Sequence, residues 1–245
     1  MRVFGLIGFP LSHSFSKKYF TEKFEKEKLY SCRYENFPIS SIGLLPGILR
    51  DNPYLEGLNV TIPYKESVLP FLHDATDEVK EIKACNCIKI TRDILYGFNT
   101  DITGFHQSII KKLKPVHKKA LILGTGGAAK AVAYVLKGLN IEFAYVSRNS
   151  LGPGFIYNEL TEELINEHTL IVNTTPVGVW PDHQLAPPIP YKFITNKHFL
   201  FDLIYNPEKT LFLQNGLERG ATIQNGMDML IIQAEESWKI WNQRS

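Results

Sequence analysis

Short apolar runs alternate along the chain with segments whose apolar residues recur every three or four positions. That alternation predicts an α/β fold rather than a sandwich or a bundle. Val3-Phe4-Gly5-Leu6-Ile7 predicts a first strand, and Phe20 and Phe24 mark the buried face of a following helix. Cys32 to Phe37 and Leu55 to Thr61 predict two more strands, and Cys85 to Phe98 a hairpin that turns at Arg92-Asp93. Phe105, Ile109, Ile110 and Leu113 recur at helical spacing, with Pro115 predicted to end that helix. From there the pattern becomes regular: strand Ala120 to Leu123, a glycine-rich turn, a helix to about Lys137, then strands at Phe143 to Val146, Leu170 to Asn173 and Phe199 to Ile204. This is the grammar of a doubly wound sheet. Met227, Leu230, Ile231, Ala234, Trp238 and Trp241 predict a core-facing C-terminal helix. There is no internal repeat, low-complexity tract or long linker, so two domains are expected to divide at short connections near residues 100 and 225.

With 44% hydrophobic and 21% charged residues, the 245-residue chain can bury a sizeable core, which excludes global disorder. Its 27 Lys+Arg against 25 Asp+Glu give a net charge of +2 without a basic block, so no nucleic-acid partner is expected. No run of about 18 apolar residues is present to span a bilayer. The start, MRVFGLIGFPLSHS, lacks the cationic and long apolar regions of a signal peptide, so a cytoplasmic protein with no membrane partner is expected. Cys32, Cys85 and Cys87 are odd in number and form no Cys-x-x-Cys pair. Cys85 and Cys87 are expected on one face of a strand as ordinary buried thiols. The seven histidines do not fall at metal-ligand spacing, so no metal site is expected.

Gly124-Thr125-Gly126-Gly127-Ala128-Ala129 follows a predicted strand and opens a predicted helix. Glycines in that position permit a tight turn and close backbone approach to a pyrophosphate, whose charge meets unpaired N–H groups at the helix N-terminus. Alanine at position 129 is a permitted variant of the third glycine. At the end of the second strand, where an NAD enzyme wants an acidic residue, the chain reads Tyr145-Val146-Ser147-Arg148-Asn149. A guanidinium there suits a 2′-phosphate and favours NADP over NAD, the alternative being a solvated loop arginine.

Three polar clusters occupy the first hundred residues. In Gly8-Phe9-Pro10-Leu11-Ser12-His13-Ser14-Phe15-Ser16, the Ser14 and Ser16 hydroxyls are expected near a helix N-terminus, where they suit a carboxylate; Ser16 as a plain N-cap is the other reading. Asn59-Val60-Thr61-Ile62-Pro63-Tyr64-Lys65 places polar side chains at a strand end and Lys65 early in a predicted helix, against the helix dipole. A solvated lysine is the alternative there. Asn99-Thr100-Asp101 precedes the helix containing Phe105, and Asp101 is either a functional carboxylate or a cap.

Together these clusters resemble the shikimate dehydrogenase family across essentially the whole chain. The resemblance is carried by Gly8-x-Pro10-x-x-His13-Ser14-x-Ser16, Asn59-Val60-Thr61-x-Pro63-x-Lys65, Asn86, Asn99-Thr100-Asp101-x-x-Gly104 and the Gly124 to Ala129 loop. It continues through Asn173-Thr174-Thr175-Pro176-x-Gly178, Asp202-Leu203-Ile204-Tyr205-x-Pro207 and Gly226-Met227-x-Met229-Leu230-x-x-Gln233-Ala234.

The resemblance implies an N-terminal α/β substrate-binding domain, residues 1–100 completed by a C-terminal helix at 226–245, plus a Rossmann-like doubly wound NADP-binding domain at 101–225. It implies reversible hydride transfer between NADPH and 3-dehydroshikimate, yielding shikimate on the route to chorismate and the aromatic amino acids. Ser14 and Ser16 would bind the substrate carboxylate, with Tyr205 nearby. Asn59, Thr61, Asn86 and Gln233 would hold ring hydroxyls, and Lys65 and Asp101 would form the catalytic pair. Ketone reduction needs a proton donor at the oxygen, and the reverse reaction a base. Lys65 as an ammonium would stabilise the developing alkoxide and supply the proton, while Asp101 would hydrogen-bond the reacting hydroxyl and orient Lys65. Either member of the pair could carry the proton, since a neighbouring carboxylate raises a lysine pKa and burial lowers it.

For the cofactor, NADP(H), the resemblance implies contacts from Gly124, Thr125, Gly126, Gly127, Ala128 and Ala129 to the pyrophosphate. Ser147, Arg148 and Asn149 would meet the adenosine phosphate, and Thr174, Leu203, Gly226 and Asp77 complete the set. Four features depart from the family pattern: Lys17 in place of proline, Cys85 and Cys87 around Asn86, Ser147-Arg148-Asn149 in place of Asn-Arg-Thr, and a short Leu151-Gly152-Pro153-Gly154 loop. The last two bear on NADP selectivity. The alternatives are a quinate/shikimate enzyme that uses NAD and a non-catalytic NADP-binding regulator, which Lys65, Asp101 and Gln233 together argue against. A monomer or a homodimer fits equally.

Overall fold

The structure, a computed structural model, describes residues 1–11, 14–149, 154–180 and 182–243. The chain forms two units, Met1–Thr100 with Ala234–Ser245, and Asp101–Gln233.

The first unit contains β1 (Arg2–Gly8), α1 (Phe15–Lys26), β2 (Cys32–Pro38), α2 (Leu45–Asp51), β3 (Leu55–Val60), β4 (Asp74–Ala75), α3 (Asp77–Ile82), β5 (Cys87–Thr91) and β6 (Ile94–Phe98). Its sheet runs β2-β1-β3-β5-β6-β4. β1 lies parallel to β2 and β3, whereas β5 is antiparallel to both β3 and β6. Side chains alternate between two cores: Ile7, Leu58 and Ile88 pack with Leu45, Val68 and Val79, while Phe4, Leu6 and Tyr34 pack with Phe20, Phe24 and Trp241. The β5–β6 hairpin turns at Arg92 and Asp93, both at positive φ (49° and 63°), the geometry that matches strand twist in a two-residue turn.

In the second unit come α4 (Thr100–Ile109), β7 (Lys119–Leu123), α5 (Gly127–Gly138), β8 (Glu142–Ser147), β9 (Phe155–Ile156), α6 (Glu162–Glu167), β10 (Leu170–Asn173), β11 (Phe199–Asp202), α7 (Leu211–Leu217), β12 (Thr222–Gln224) and the first part of α8 (Met227–Asn242), whose residues from Ala234 onward belong to the first unit. Its strands are ordered β9-β8-β7-β10-β11-β12 and every pair is parallel. Numbered within the unit this is 3-2-1-4-5-6, the dinucleotide-binding order, with its switch point between β7 and β10. Ile122, Val172 and Phe201 meet Phe105 and Ile109 of α4 and Val132 and Leu136 of α5 on one face, and Leu121, Ile171 and Leu200 meet Ile165, Phe212 and Leu213 on the other. The sheet is covered on both sides, as an all-parallel sheet requires.

Four sequence expectations are corrected. Cys85 precedes the start of β5, so strand alternation does not govern it: Cys85 lies in one core of the first unit and Cys87 in the other. α4 ends at Ile109, not at Pro115, and Ile110 is exposed. No helix begins at Lys65: residues 61–68 are turns and irregular backbone, and the next helical segment is a single 3-10 turn at Leu69–Phe71, so Lys65 does not oppose a helix dipole. The boundary near the C-terminus falls inside α8, after Gln233, rather than at 225.

Candidate active site

In the first unit, polar side chains gather where β1 and β3 end. A Cβ on Gly8 would stand 2.4 Å from Thr61 Cγ2, so glycine is what lets the two strand ends approach. The Thr61 N–H donates to the Ile7 carbonyl at 2.9 Å, the Val60 N–H to Asn86 O at 2.8 Å, and the Cys85 N–H to Lys65 O at 2.8 Å. Segment 59–65 is thereby pinned along residues 85–86, which brings Asn59, Thr61, Lys65 and Asn86 together. The peptide bonds before Pro10 and Pro63 in these motifs are cis, as is the one before Pro207.

Ser14 and Ser16 stand at the start of α1. Ser14 occupies the N-cap but makes no capping bond with its side chain. Its Oγ is buried with no hydrogen-bond partner among the described residues. A buried hydroxyl left unsatisfied is costly, and an anionic oxygen beside it would satisfy it. Ser16, one position inside the helix, is not the cap; its side chain interacts with the Tyr34 phenol. His13 lies outside the described residues. Asp77 opens α3, exposed and within electrostatic reach of Lys80.

Asp101 and Gln233, both buried, belong to the second unit. Asp101 is the second residue of α4, not its cap. One turn on, a Cβ at Gly104 would meet Met229 O at 2.7 Å and Gln233 Cβ at 3.2 Å. The missing side chain lets α4 and α8 touch and sets the Asp101 turn beside Gln233.

The glycine-rich loop lies at the switch point, between β7 and the 12-residue helix α5. Gly124 has φ +105°, and a Cβ there would press to 2.7 Å from Thr174 Oγ1. Gly126, the N-cap of α5, faces open space: nothing among the described residues lies within 4 Å of where its Cβ would be. An open backbone face at a helix N-terminus is a cradle for a pyrophosphate, so the residues fit a dinucleotide. Ala129 is fully buried against β7, where close helix–strand packing is needed. The Thr174 hydroxyl donates to Leu123 O at 2.6 Å, tying the loop after β10 to the end of β7.

Arg148 is exposed just beyond β8, and the Ser147 hydroxyl donates to the Asn149 carbonyl, which shapes that turn. Leu151 to Pro153 lie outside the described residues. Gly226 stacks on Leu203: a Cβ would come within 2.1 Å of Leu203 O, and the Gly226 N–H donates to Ile204 O at 3.1 Å. Tyr205 follows in the same loop, half-buried.

Several residues of this architecture went unassigned in the sequence reading. Asp202, at the end of β11, accepts from Asn173 Nδ2 at 3.0 Å, the Ile204 N–H at 3.0 Å and the Thr210 hydroxyl at 2.6 Å. Burial pushes its carboxyl up to about 7, against these bonds. The signal was present as a polar residue closing each of the apolar runs 170–173 and 199–202. In the first unit, Tyr34 and Ser237 bond to the buried Asn59, and Thr100 bonds to the buried Asn86. Ser237 was legible as a polar residue within the apolar stripe of α8.

Residues 6–88 match the shikimate dehydrogenase substrate binding domain family. The NADP(+) shikimate dehydrogenase of Ignicoccus hospitalis is 35% identical, over 98% of this chain and 92% of that protein. The chain belongs to the shikimate dehydrogenase family. Among solved structures, the shikimate dehydrogenase of Aquifex aeolicus superposes with TM-score 0.88 at 31% identity, covering 99% of this chain and 92% of that one. The Thermus thermophilus enzyme, solved in complex with NADP(H) and shikimate, gives TM-score 0.87 at 30% identity over 99% and 94% of the two chains. Against the family pattern, Lys17 in place of proline has a use of its own: its Nζ pairs with Glu35 of β2 at 2.8 Å, fastening the start of α1.

Proposed function

We propose that the protein is an NADP-dependent shikimate dehydrogenase, which reversibly reduces 3-dehydroshikimate to shikimate. The observation that carries this reading is the full-length kinship to enzymes of that name, with the chemistry of both units retained. The nicotinamide cofactor, when bound, supplies or accepts the hydride. Gly124 to Ala129 would hold its pyrophosphate, Ser147, Arg148 and Asn149 its adenosine phosphate, and Thr174, Leu203 and Gly226 would border its other half. Asp77 keeps a place in this set only through the family resemblance.

The chain's own residues do the rest. Ser14 supplies an unspent hydroxyl for the substrate carboxylate, with Ser16 and Tyr205 as further partners. Asn59, Thr61, Asn86 and Gln233 hold ring hydroxyls and so fix which carbon is presented for reaction. Lys65, as an ammonium, stabilises negative charge growing on the carbonyl oxygen and gives that oxygen its proton. Asp101 accepts a hydrogen bond from the reacting hydroxyl. In the oxidising direction Lys65 takes the proton back. Cys32, Cys85 and Cys87 form no disulfide among the described residues, which suits a reducing cytoplasm.

The test is absorbance at 340 nm with shikimate or quinate offered alongside NADP⁺ or NAD⁺, in all four pairings. Turnover strongest with shikimate and NADP⁺ is expected. Equal or better rates with quinate or NAD⁺ would move the enzyme to a broader dehydrogenase, and no turnover in any pairing would sink the reading.

A further inference from the structure

Asn59 and Asn86 are both buried, and each has its amide orientation decided by partners that can act in only one sense. The side-chain nitrogen of Asn59 faces the Asn86 carbonyl at 3.4 Å, and a carbonyl can only accept. The same nitrogen donates to Ser237 Oγ at 2.8 Å. Both of its protons are therefore spent. Its oxygen accepts from the Tyr34 hydroxyl at 2.8 Å, which leaves one lone pair as the unspent capacity of the side chain.

Asn86 is held the other way round. Its oxygen faces the Thr100 N–H at 2.7 Å, a group that can only donate, and lies 3.2 Å from the Thr100 hydroxyl. Its nitrogen lies 3.1 Å from that hydroxyl, which occupies one of two protons. Ser237 Oγ and Thr100 Oγ1 stand 3.3 Å apart and close the network.

We propose that Tyr34 and Ser237 are positioning residues that lock the Asn59 amide so that it can only accept a hydrogen bond from a substrate hydroxyl. This rests on the shikimate dehydrogenase reading and deepens it: Asn59 supplies an acceptor and Asn86 a donor, a polarity that suits a hydroxyl and rejects a group unable to donate. Neither Tyr34 nor Ser237 belongs to the residue set that the family resemblance implies. Tyr34 is suited to its part because its ring stacks on Phe20 at a centroid separation of 4.5 Å and 11° between planes. Burial raises its phenol, so it stays a donor throughout the working pH range. Ser237, fully buried on α8, holds the amide from the opposite side. Losing either bond frees the amide to turn and leaves a buried polar group unpaired.

The experiment compares the wild type with Tyr34→Phe and Ser237→Ala, using shikimate and analogues that each lack one ring hydroxyl, with NADP⁺ as co-substrate. Both variants are expected to raise KM for shikimate about tenfold while KM for NADP⁺ stays within about twofold. The Tyr34→Phe penalty should vanish on one analogue alone, the one missing the hydroxyl that Asn59 accepts. Folded variants with unchanged shikimate KM, or equal penalties on every analogue, overturn the proposal. Should Tyr34→Phe fail to fold, Ser237→Ala decides by the same criteria. A wild-type protein that does not oxidise shikimate overturns the underlying reading instead, and that outcome is seen before any variant is made.

Discussion

The Asp202 carboxylate is bolted to the cap of the next helix: Thr210, the N-cap of α7, donates its hydroxyl to Asp202 Oδ2 at 2.6 Å and accepts from the Leu213 N–H at 3.3 Å. The other carboxylate oxygen serves Asn173 and the Ile204 N–H, so one buried acid ties together the loops after β10 and β11. These loops carry Thr174, Leu203 and Tyr205.

A stability signature follows from the sign of its titration. The folded carboxyl is raised to about 7 from an ordinary 3.8, so the stabilising contribution is complete below about pH 4 and is lost as pH rises through about 7. In Asp202→Asn, the amide oxygen can keep both N–H donors and the amide nitrogen can give to the Thr210 hydroxyl. The variant should match the wild type near pH 4 and exceed it by roughly 2 to 4 kcal/mol near pH 8. Urea denaturation across that range measures it. A variant less stable at pH 8 than at pH 4, relative to wild type, would mean that the three hydrogen bonds outweigh burial.

Gly57 leaves room for the Trp241 indole. A Cβ there would fall 2.3 Å from Trp241 Nε1, which donates to Ile88 O at 3.0 Å, and the ring stacks on Phe4 at 4.9 Å. Gly57→Ala should destabilise the protein by about 1 to 3 kcal/mol, seen as a drop of several degrees in Tm. An unchanged Tm would show that the end of α8 can shift at no cost.

Ser14 and Ser16 should separate cleanly. Removing the unpartnered Ser14 hydroxyl costs no internal bond, so Ser14→Ala should leave Tm unchanged or slightly higher while raising KM for shikimate about tenfold. Ser16→Ala, whose hydroxyl already interacts with Tyr34, should raise KM less. The reverse ranking in steady-state kinetics would assign the carboxylate to Ser16.

Arg148 governs cofactor choice if its guanidinium meets the 2′-phosphate. Arg148→Ala should raise KM for NADP⁺ about 10- to 100-fold, leave KM for NAD⁺ nearly unchanged, and weaken the salt dependence of NADP⁺ binding. Parallel losses for both cofactors would place Arg148 in the general support of the turn instead.

Residues 119–147 were legible because an apolar strand, a glycine loop and a helix stripe each follow from local rules. β7 begins one residue before Ala120, and α5 ends one residue after Lys137. Lys65 was misplaced because Tyr64 and Val68 are buried at helical spacing, yet the segment is held by turns and by its bond to Cys85, neither of which periodicity encodes. Cys85 and Cys87 misled for a related reason: alternation by twos holds only inside a strand, and Cys85 lies outside it. The candidate site was visible as motifs, but its polar framework was not. Tyr34 to Asn59 spans 25 positions and Asn59 to Ser237 spans 178, and pairings of that range are fixed by tertiary packing alone.

Lys65 offers the sharpest separation of chemistry from binding. Its backbone carbonyl accepts from the Cys85 N–H, a bond that any residue at this position can keep, so replacing the side chain need not disturb the loop. Lys65→Ala should therefore fold normally, bind NADP⁺ as the wild type does, and hold shikimate within about tenfold of its normal affinity. On the proposed mechanism the variant loses the proton donor at the reacting oxygen, which should lower kcat by about 10²- to 10⁴-fold. Lys65→Met, which keeps an unbranched apolar chain without the charge, should be equally impaired, whereas Lys65→Arg keeps the charge but holds its proton too tightly to transfer it readily. If electrostatic stabilisation dominates, Lys65→Arg recovers much of the lost kcat; if proton transfer dominates, it does not. Wild-type turnover in Lys65→Ala would remove the residue from the chemistry altogether.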